Sequence, residues 1–320
     1  MYIIPFFLIF LSLTLPPICA AFPGTSKWIQ NSSPKYRKGI QETKYFHEPG
    51  GSSELSHYDA RYFTSKVSYA EHRMTLQRLI RSYLTTFDGL GIETWLAHGS
   101  LLGWWWNGRI MPWDYDLDVQ VSVATLYYLG LHFNRSTHEF IFDGAASPLS
   151  PATLSGDGGN GTVLKKYLLD INPHHGDLTR GNGANVIDAR WIDISNGMFI
   201  DVTGLRERDP DTQPGVWSCK NSHRYRTMEL WPLRRTQFEG VGAWVPYAFD
   251  KILTDEYGAK SLVTTEWAGH RWHPELKEWI ANQPPPAQIA EFQGHRTHRQ
   301  QKTVQQDDVI VVYEEVVVED

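Results

Sequence analysis

The chain has 320 residues, enough for one large domain or two small ones, and a hydrophobic content of 41% is ample for a core. Its formal net charge of −6 argues against nucleic acid as a partner. Of its 2 cysteines, Cys19 lies in the N-terminal apolar stretch, so removal of that stretch would leave Cys219 without an internal disulfide partner. The apolar run from Tyr2 to Leu15, followed by Pro16-Pro17 and the small pair Ala20-Ala21, has signal-peptide character. It is shorter than the roughly 20 residues that span a bilayer. Residues 1–20 are therefore read as a signal peptide or signal anchor. Either places the body in the secretory lumen (Golgi or ER), or outside the cell after cleavage, with membrane contact only through the anchor. Asn31, Asn134 and Asn160 begin Asn-x-Ser/Thr triplets, which are glycan acceptors in a lumenal chain.

Residues 21–67 are mixed in composition and read as a stem or an N-terminal wrap. His47, His57 and His72 have no metal-ligand spacing and are read as ordinary surface residues. Ser68 with Glu71 forms a capping box, and Leu76, Ile80, Tyr83, Leu84 and Phe87 keep a helical period that Gly89 and Gly91 end. This helix is expected to pack behind a sheet.

Residues 92–98 read as a strand and Gly99-Ser100 as a turn, with a helix opening at Leu101 under a Ser100 cap. Asn107-Gly108 signals a turn, and Pro112 marks the entry to a second strand. From Asp114 the chain alternates. Asp114, Asp116, Asp118, Gln120 and Ser122 are polar, and Tyr115, Leu117, Val119, Val121 and Val123 are apolar. Period two predicts a strand with three aspartates on one face, neighbours roughly 6.5–7 Å apart. Charges that close resist joint ionisation, and a hard cation, Mg²⁺ or Mn²⁺, relieves the conflict. The alternative is a solvated strand face, against which the apolar Trp113, Leu117 and Val119 weigh. Gly99 and Ser100 offer backbone N–H groups and a hydroxyl to phosphate oxygens. A phosphate cradle would then lie beside a metal site.

Downstream, residues 125–133 read as helical or mixed, 145–161 as a loop, and 163–170 as a strand. Lys165 and Lys166 on that strand are candidates for neutralising donor phosphates. His174-His175 reads as a loop pair. In residues 186–205, Asn196-Gly197 between two β-prone runs predicts a two-residue hairpin turn. The register then pairs Ser195 with Met198, Asp193 with Ile200 and Ile192 with Asp201. Asp193 and Asp201 fall on opposite faces, so only one can join the aspartate triplet. Asp193 is read as structural, paired with Arg190 or Arg235. Residues 206–236 are rich in arginine, and one or two of these side chains could meet a pyrophosphate. The stretch from Phe238 to Gly258 reads as a strand pair followed by a helix. His270 and His273 have an i, i+3 spacing that would suit a metal on a helix, although Trp272 and Pro274 favour packing or acceptor contact. Residues 281–320 read as a disordered tail with an acidic end.

The wording HGSLLG at 98–103 and IMPWDYDLDV at 110–119 resembles the LicD-like proteins, which include fukutin and its relatives in the nucleotidyltransferase-fold superfamily. It is most similar to the fungal branch tied to mannosylphosphate transfer. Two departures from the bacterial pattern, Trp106 for an arginine and Tyr115 for a second adjacent aspartate, argue against a phosphocholine substrate. The resemblance also covers Phe199-Ile200-Asp201-Val202, making Asp201 the further carboxylate, and the Phe238…Gly240…Pro246…Leu253…Tyr257-Gly258 pattern that closes the fold. It implies an α/β (α+β) domain over residues 68–280: a nucleotidyltransferase-like mixed sheet with packed helices and a C-terminal elaboration. It implies a metal-dependent phosphotransferase moving a phosphate-linked group, mannosyl phosphate or an alcohol phosphate, from a GDP- or CDP-linked donor to a glycan acceptor. Asp114, Asp116, Asp118 and Asp201 would be the catalytic metal ligands, with Gly99, Ser100 and Lys165 on the donor phosphates. The alternatives are a glycosyltransferase using Asp-x-Asp and a non-catalytic regulator of mannosylphosphate transfer.

Overall fold

The computed structural model describes residues 43–143 and 162–282, together with two strands at 296–306 and 309–319. The expected signal segment, the triplets at Asn31 and Asn160 and the 145–161 loop lie outside the described residues. Asn134 lies within them, exposed after a helix, with its Oδ1 accepting from the Ile171 amide at 3.0 Å.

In chain order the elements are α1 (Tyr69–Gly89), β1 (Trp95–Leu96), α2 (His98–Asn107), β2 (Asp118–Ser122), α3 (Val123–His132), β3 (Thr137–Asp143) and β4 (Thr162–Ile171). There follow β5 (Ala189–Asp193), β6 (Phe199–Glu207), β7 (Val216–Ser218), β8 (Arg224–Arg226), α4 (Thr227–Leu230), β9 (Arg234–Phe238), β10 (Val241–Val245) and α5 (Phe249–Tyr257). Three short strands come next, β11 (Glu266–Trp267), β12 (His270–His273) and β13 (Glu278–Ala281), and then β14 (Arg296–Gln306) and β15 (Val309–Glu319). No helix among the described residues is long and apolar enough to cross a membrane.

The main sheet runs β1-β2-β6-β5-β4-β3, with β7 and β8 continuing from β6. Only β2 and β6 pair in parallel; every other neighbour is antiparallel. This is the mixed α/β sheet with packed helices expected from the sequence. Strand alternation divides it into two faces. On one, Val119, Val121, Ile200, Val202, Trp191 and Leu169 are buried, and α1 and α3 cover them. The apolar stripe of α1 supplies Tyr83 and Phe87 edge-on to Trp191, whose indole N–H donates to Ser82 Oγ at 3.0 Å. Helix α1 starts after Ser68 as expected, but Ser68 Oγ donates to the Glu71 carboxylate at 2.8 Å and does not cap the helix backbone, so the expected capping box is not formed.

The other face is polar along one row. The register aligns Asp118 with Asp201, Asp201 with Arg190, and Arg190 with Asp170, so four charged residues lie side by side across β2, β6, β5 and β4. Residues 43–67 wrap over this row. Tyr58 bridges Met198, and Glu48, Asp59 and Arg61 reach the charged side chains. The N-terminal wrap is thus a working part of the sheet's cover.

Several local expectations are corrected. The strand bearing the aspartates starts at Asp118, because residues 112–117 form a turn and an extended segment, with the Asp114 amide bonded to Met111 O at 3.0 Å. Helix α2 starts at His98 under Ala97, not under Ser100. The β5–β6 hairpin pairs Ile192 with Phe199 and Arg190 with Asp201, two residues away from the predicted register. Its turn has four residues, because Asp193 Oδ1 accepts from both the amide and hydroxyl of Ser195 while the Gly197 amide bonds Asp193 O. A Cβ on Gly197 would lie 2.9 Å from the Phe63 amide nitrogen, so the wrap packs directly on this turn. A shift of two preserves side-chain faces, and Asp193 and Asp201 still lie on opposite sides. His270 and His273 sit on strand β12, not on a helix, so their odd spacing puts them on opposite faces. The composition of 281–320 reads as disordered, yet β14 and β15 pair along their length, the second being rich in valine.

Trp191→Ala removes a fully buried ring and the hydrogen bond to Ser82. It is expected to lower unfolding stability by about 3–5 kcal/mol in chemical denaturation.

Candidate metal centre

Asp114, Asp116, Asp118 and Asp201 converge at the edge of the polar face. The β2–β6 register sets Asp118 beside Asp201, and the Asp201 amide bonds Leu117 O at 2.9 Å, which fixes the approach to the strand. Asp118 is anchored again by its amide, which donates to Ser100 Oγ at 3.0 Å. Asp114 hydrogen-bonds Asp116 through the turn that precedes β2. The three aspartates of the motif are therefore gathered by a loop folding onto a strand end, and not by strand alternation.

The electrostatics follow from this crowding. Burial, reinforced by the Asp116 hydrogen bond and by the charges of Asp116 and Asp118, holds the Asp114 carboxyl well above the usual carboxylate range. Burial pushes Asp118 up to about 8; His98 opposes the shift, and Asp116, Asp201 and Glu256 add to it. Burial also raises Asp201, against the neighbouring Arg190. Clustered carboxylate oxygens of this kind are the ligand type that hard divalent cations prefer.

Gly99 fits the same picture. A Cβ there would stand 2.7 Å from Asp114 Oδ2, so the helix start can approach the carboxylate only as glycine. Gly99 belongs to this cluster through backbone proximity. Ser100 is 2% exposed, and its oxygen already accepts from the Asp118 amide, making it a strut between α2 and β2.

Lys165 lies elsewhere. It stands on β4, three strands from β2 and five residues beyond Asp170 in register, on the order of 20 Å from Asp118 at standard strand spacings. Its Nζ meets Asp193 Oδ2 at 3.1 Å and Ser195 Oγ at 2.8 Å. The expected role on the donor phosphates is corrected accordingly: Lys165 neutralises Asp193 and steadies the hairpin turn. Lys166 pairs with Glu139 at 2.7 Å. The cation beside the aspartate cluster is Arg190. Its Nε donates to Asp201 Oδ1 at 2.8 Å, and its other nitrogens meet Glu48 and Asp59 at 2.5 and 3.3 Å. It also stacks 3.6 Å over the Phe199 ring. The sequence offers Arg190 or Arg235 as the partner of Asp193; in the structure Arg190 bonds Asp201 and Arg235 meets Asp88 at 3.5 Å, leaving Asp193 to Lys165.

Two further groups could not be read from the motif. His98 precedes Gly99 and bonds Glu256 of α5 at 2.6 Å through Nδ1. Tyr257 follows Glu256 at the end of α5, and desolvation, with the charges of Glu256, Asp118 and Asp114 adding to it, raises its hydroxyl. The tryptophans of α2 hold this arrangement. The Trp104, Trp105 and Trp106 indoles donate to Thr236, Leu262 and Ser261 at 2.8, 3.3 and 3.2 Å. Trp106 and Trp113 both pack on Trp279 of β13. His57 and His72 flank Tyr115, so these two histidines support the aspartate loop.

A Gly-Ser helix start lies against clustered aspartates on a mixed sheet, and residues 91–145 match the LicD/FKTN/FKRP nucleotidyltransferase domain. The resemblance to LicD-like proteins thus holds in that segment. Two relatives come from Saccharomyces cerevisiae. Mannosyltransferase regulator 4 is 33% identical over 171 residues, and Mannosyltransferase regulator 14 is 33% identical over 183 residues. The aligned regions cover 51% and 55% of this chain but 13% and 17% of those relatives.

Gly99→Ala is expected to push the Asp114 carboxylate aside and weaken Mn²⁺ binding at least about tenfold in calorimetry, with the helix content unchanged. A pH series on the metal-free protein offers a second check. The folded-state value of Asp118 lies above its unfolded value near 4. Its contribution is therefore fully present below about pH 4 and is lost as pH rises through about 8. The thermal midpoint should fall across that window, and Mn²⁺ should restore it at neutral pH. In Asp118→Asn both effects should shrink.

Proposed function

We propose that the chain is a lumenal, metal-dependent transferase that moves a phosphate-linked group, mannosyl phosphate or an alcohol phosphate, from a GDP- or CDP-linked donor to a glycan. The observation that carries this reading is the convergence of Asp114, Asp116, Asp118 and Asp201 against the glycine start of α2. The match of residues 91–145 to a nucleotidyltransferase domain supports it.

Mg²⁺ or Mn²⁺ bound by these carboxylates would neutralise the donor diphosphate and the departing nucleotide. The chain's own residues do the rest. The helix start at Gly99 presents backbone N–H groups to phosphate. Arg190 holds the Asp201 carboxylate in place. One carboxylate of the cluster takes the proton of the acceptor hydroxyl. The acceptor oxygen then forms its bond to the distal phosphorus as the bond from that phosphorus to the bridging oxygen breaks, and a nucleoside monophosphate leaves. Trp113 and Trp267 offer aromatic surface for the glycan.

A second reading, a regulator that retains the fold and binds donor or glycan without turnover, is favoured by the names of the two relatives. Product mass separates the two readings. Incubating the protein with Mn²⁺, GDP-mannose or a CDP-linked alcohol and an oligomannose acceptor should yield a phosphodiester-linked product, and Asp116→Asn should lower the rate by several orders of magnitude while the protein stays folded. A product carrying the sugar alone would make it a glycosyltransferase. Donor binding without any product would favour the regulator.

A further inference from the structure

Beside the aspartate cluster stands a second group of ligating side chains that the transfer reaction does not use. His98, His223 and Glu256 each bring one ligand atom to within 4.8 Å of the others. They come from three separate parts of the chain: the first residue of α2, the loop between β7 and β8, and the last turn of α5. We propose that these three residues form a distinct site for Zn²⁺, with an open position toward the carboxylate cluster.

The donor chemistry separates the two sites. Asp114, Asp116, Asp118 and Asp201 offer oxygen only, which suits Mg²⁺ or Mn²⁺, whereas two imidazoles and a carboxylate suit zinc and leave a fourth position open. Each ligand is also held from behind. His223 Nδ1 lies 3.3 Å from the buried Cys219 Sγ, and in the tautomer whose Nδ1–H donates to that sulfur, Nε2 keeps its lone pair for the metal. The tight loop from Cys219 to His223, closed by the Cys219 amide on His223 O at 3.3 Å, fixes the ring's direction. The His223 and His98 rings lie against each other, tilted by 44° with centres 4.4 Å apart. Glu256 is set by α5, which packs Phe249 against Trp104 of α2.

His98 carries a further sign. Its φ is +50°, a left-handed conformation that is strained for a non-glycine residue and that concentrates at functional sites. That backbone turn aims Nδ1 at Glu256 Oε1, 2.6 Å away. A tetrahedral ion with bonds of about 2.0–2.1 Å would set its ligand atoms about 3.3 Å apart, between the 2.6 Å of this pair and the 4.8 Å that bounds the three.

The site is independent of whether the protein turns over a donor, so binding tests it directly. The full chain, stripped with a chelator, is titrated with Zn²⁺ by calorimetry in excess Mg²⁺, and bound zinc is counted after gel filtration. Wild type and Asp116→Asn should each hold one zinc. His223→Ala and Glu256→Gln should bind at least about tenfold more weakly while circular dichroism shows the wild-type fold. Co²⁺ should give wild type a visible d–d absorption band that Zn²⁺ abolishes, a readout that needs no variant to fold. Wild-type affinity in His223→Ala, or no zinc and no cobalt band in the wild-type chain, would overturn the proposal.

Discussion

The pairing of Asp118 with Asp201 across the parallel strands β2 and β6 constrains everything around it. Two carboxylates side by side on a covered sheet face repel one another and lose their hydration, so the surrounding structure must supply cations, protons or a metal. Arg190 compensates one of them at 2.8 Å and is itself buried between Phe46 and Phe199. Among the described residues Asp118 has no such ion pair and is bordered by His98, Asp116 and Glu256.

The same row explains the architecture of the cover. Glu48, Asp59 and Arg61 of the wrap meet Arg190 and Asp170, so the row alternates in sign away from the cluster and becomes unbalanced only where Asp114 and Asp116 join it. Removing Arg190 would leave buried Asp59 with Arg61 as its remaining cation and Asp201 without its ion pair. The apolar work is done on the opposite face by α1 and α3. One sheet thus carries a dry core on one side and a graded electrostatic field on the other.

Around the cluster, α2 and α5 converge from outside the sheet. The α2 tryptophans join the C-terminal strands to the site, and α5 brings Glu256 to His98. The tryptophan run beside the aspartates is therefore chiefly a joint. Its indole N–H groups all find oxygen acceptors, as partly buried indoles require.

Local pattern alone determined a good deal. The period of α1, the helix following Ser122 and the strand pair before α5 were legible, because turn chemistry and hydrophobic period act over a few residues; the three aspartates stood out in the sequence, but the strand alternation read from them gave way to a loop folded onto a strand end. The opposite facing of Asp193 and Asp201 was legible too, since parity survives a two-residue slip. The register itself was not. The Asn196-Gly197 signal was overridden by Asp193 bonding Ser195 and by the wrap packing on Gly197, and that contact joins residues more than a hundred positions apart. For the same reason only tertiary structure could take Lys165 away from the cluster, give Arg190 to Asp201, and bring His98, His223 and Glu256 together. Strand order and loop packing decide which distant side chains meet, and no spacing along a single chain encodes that order.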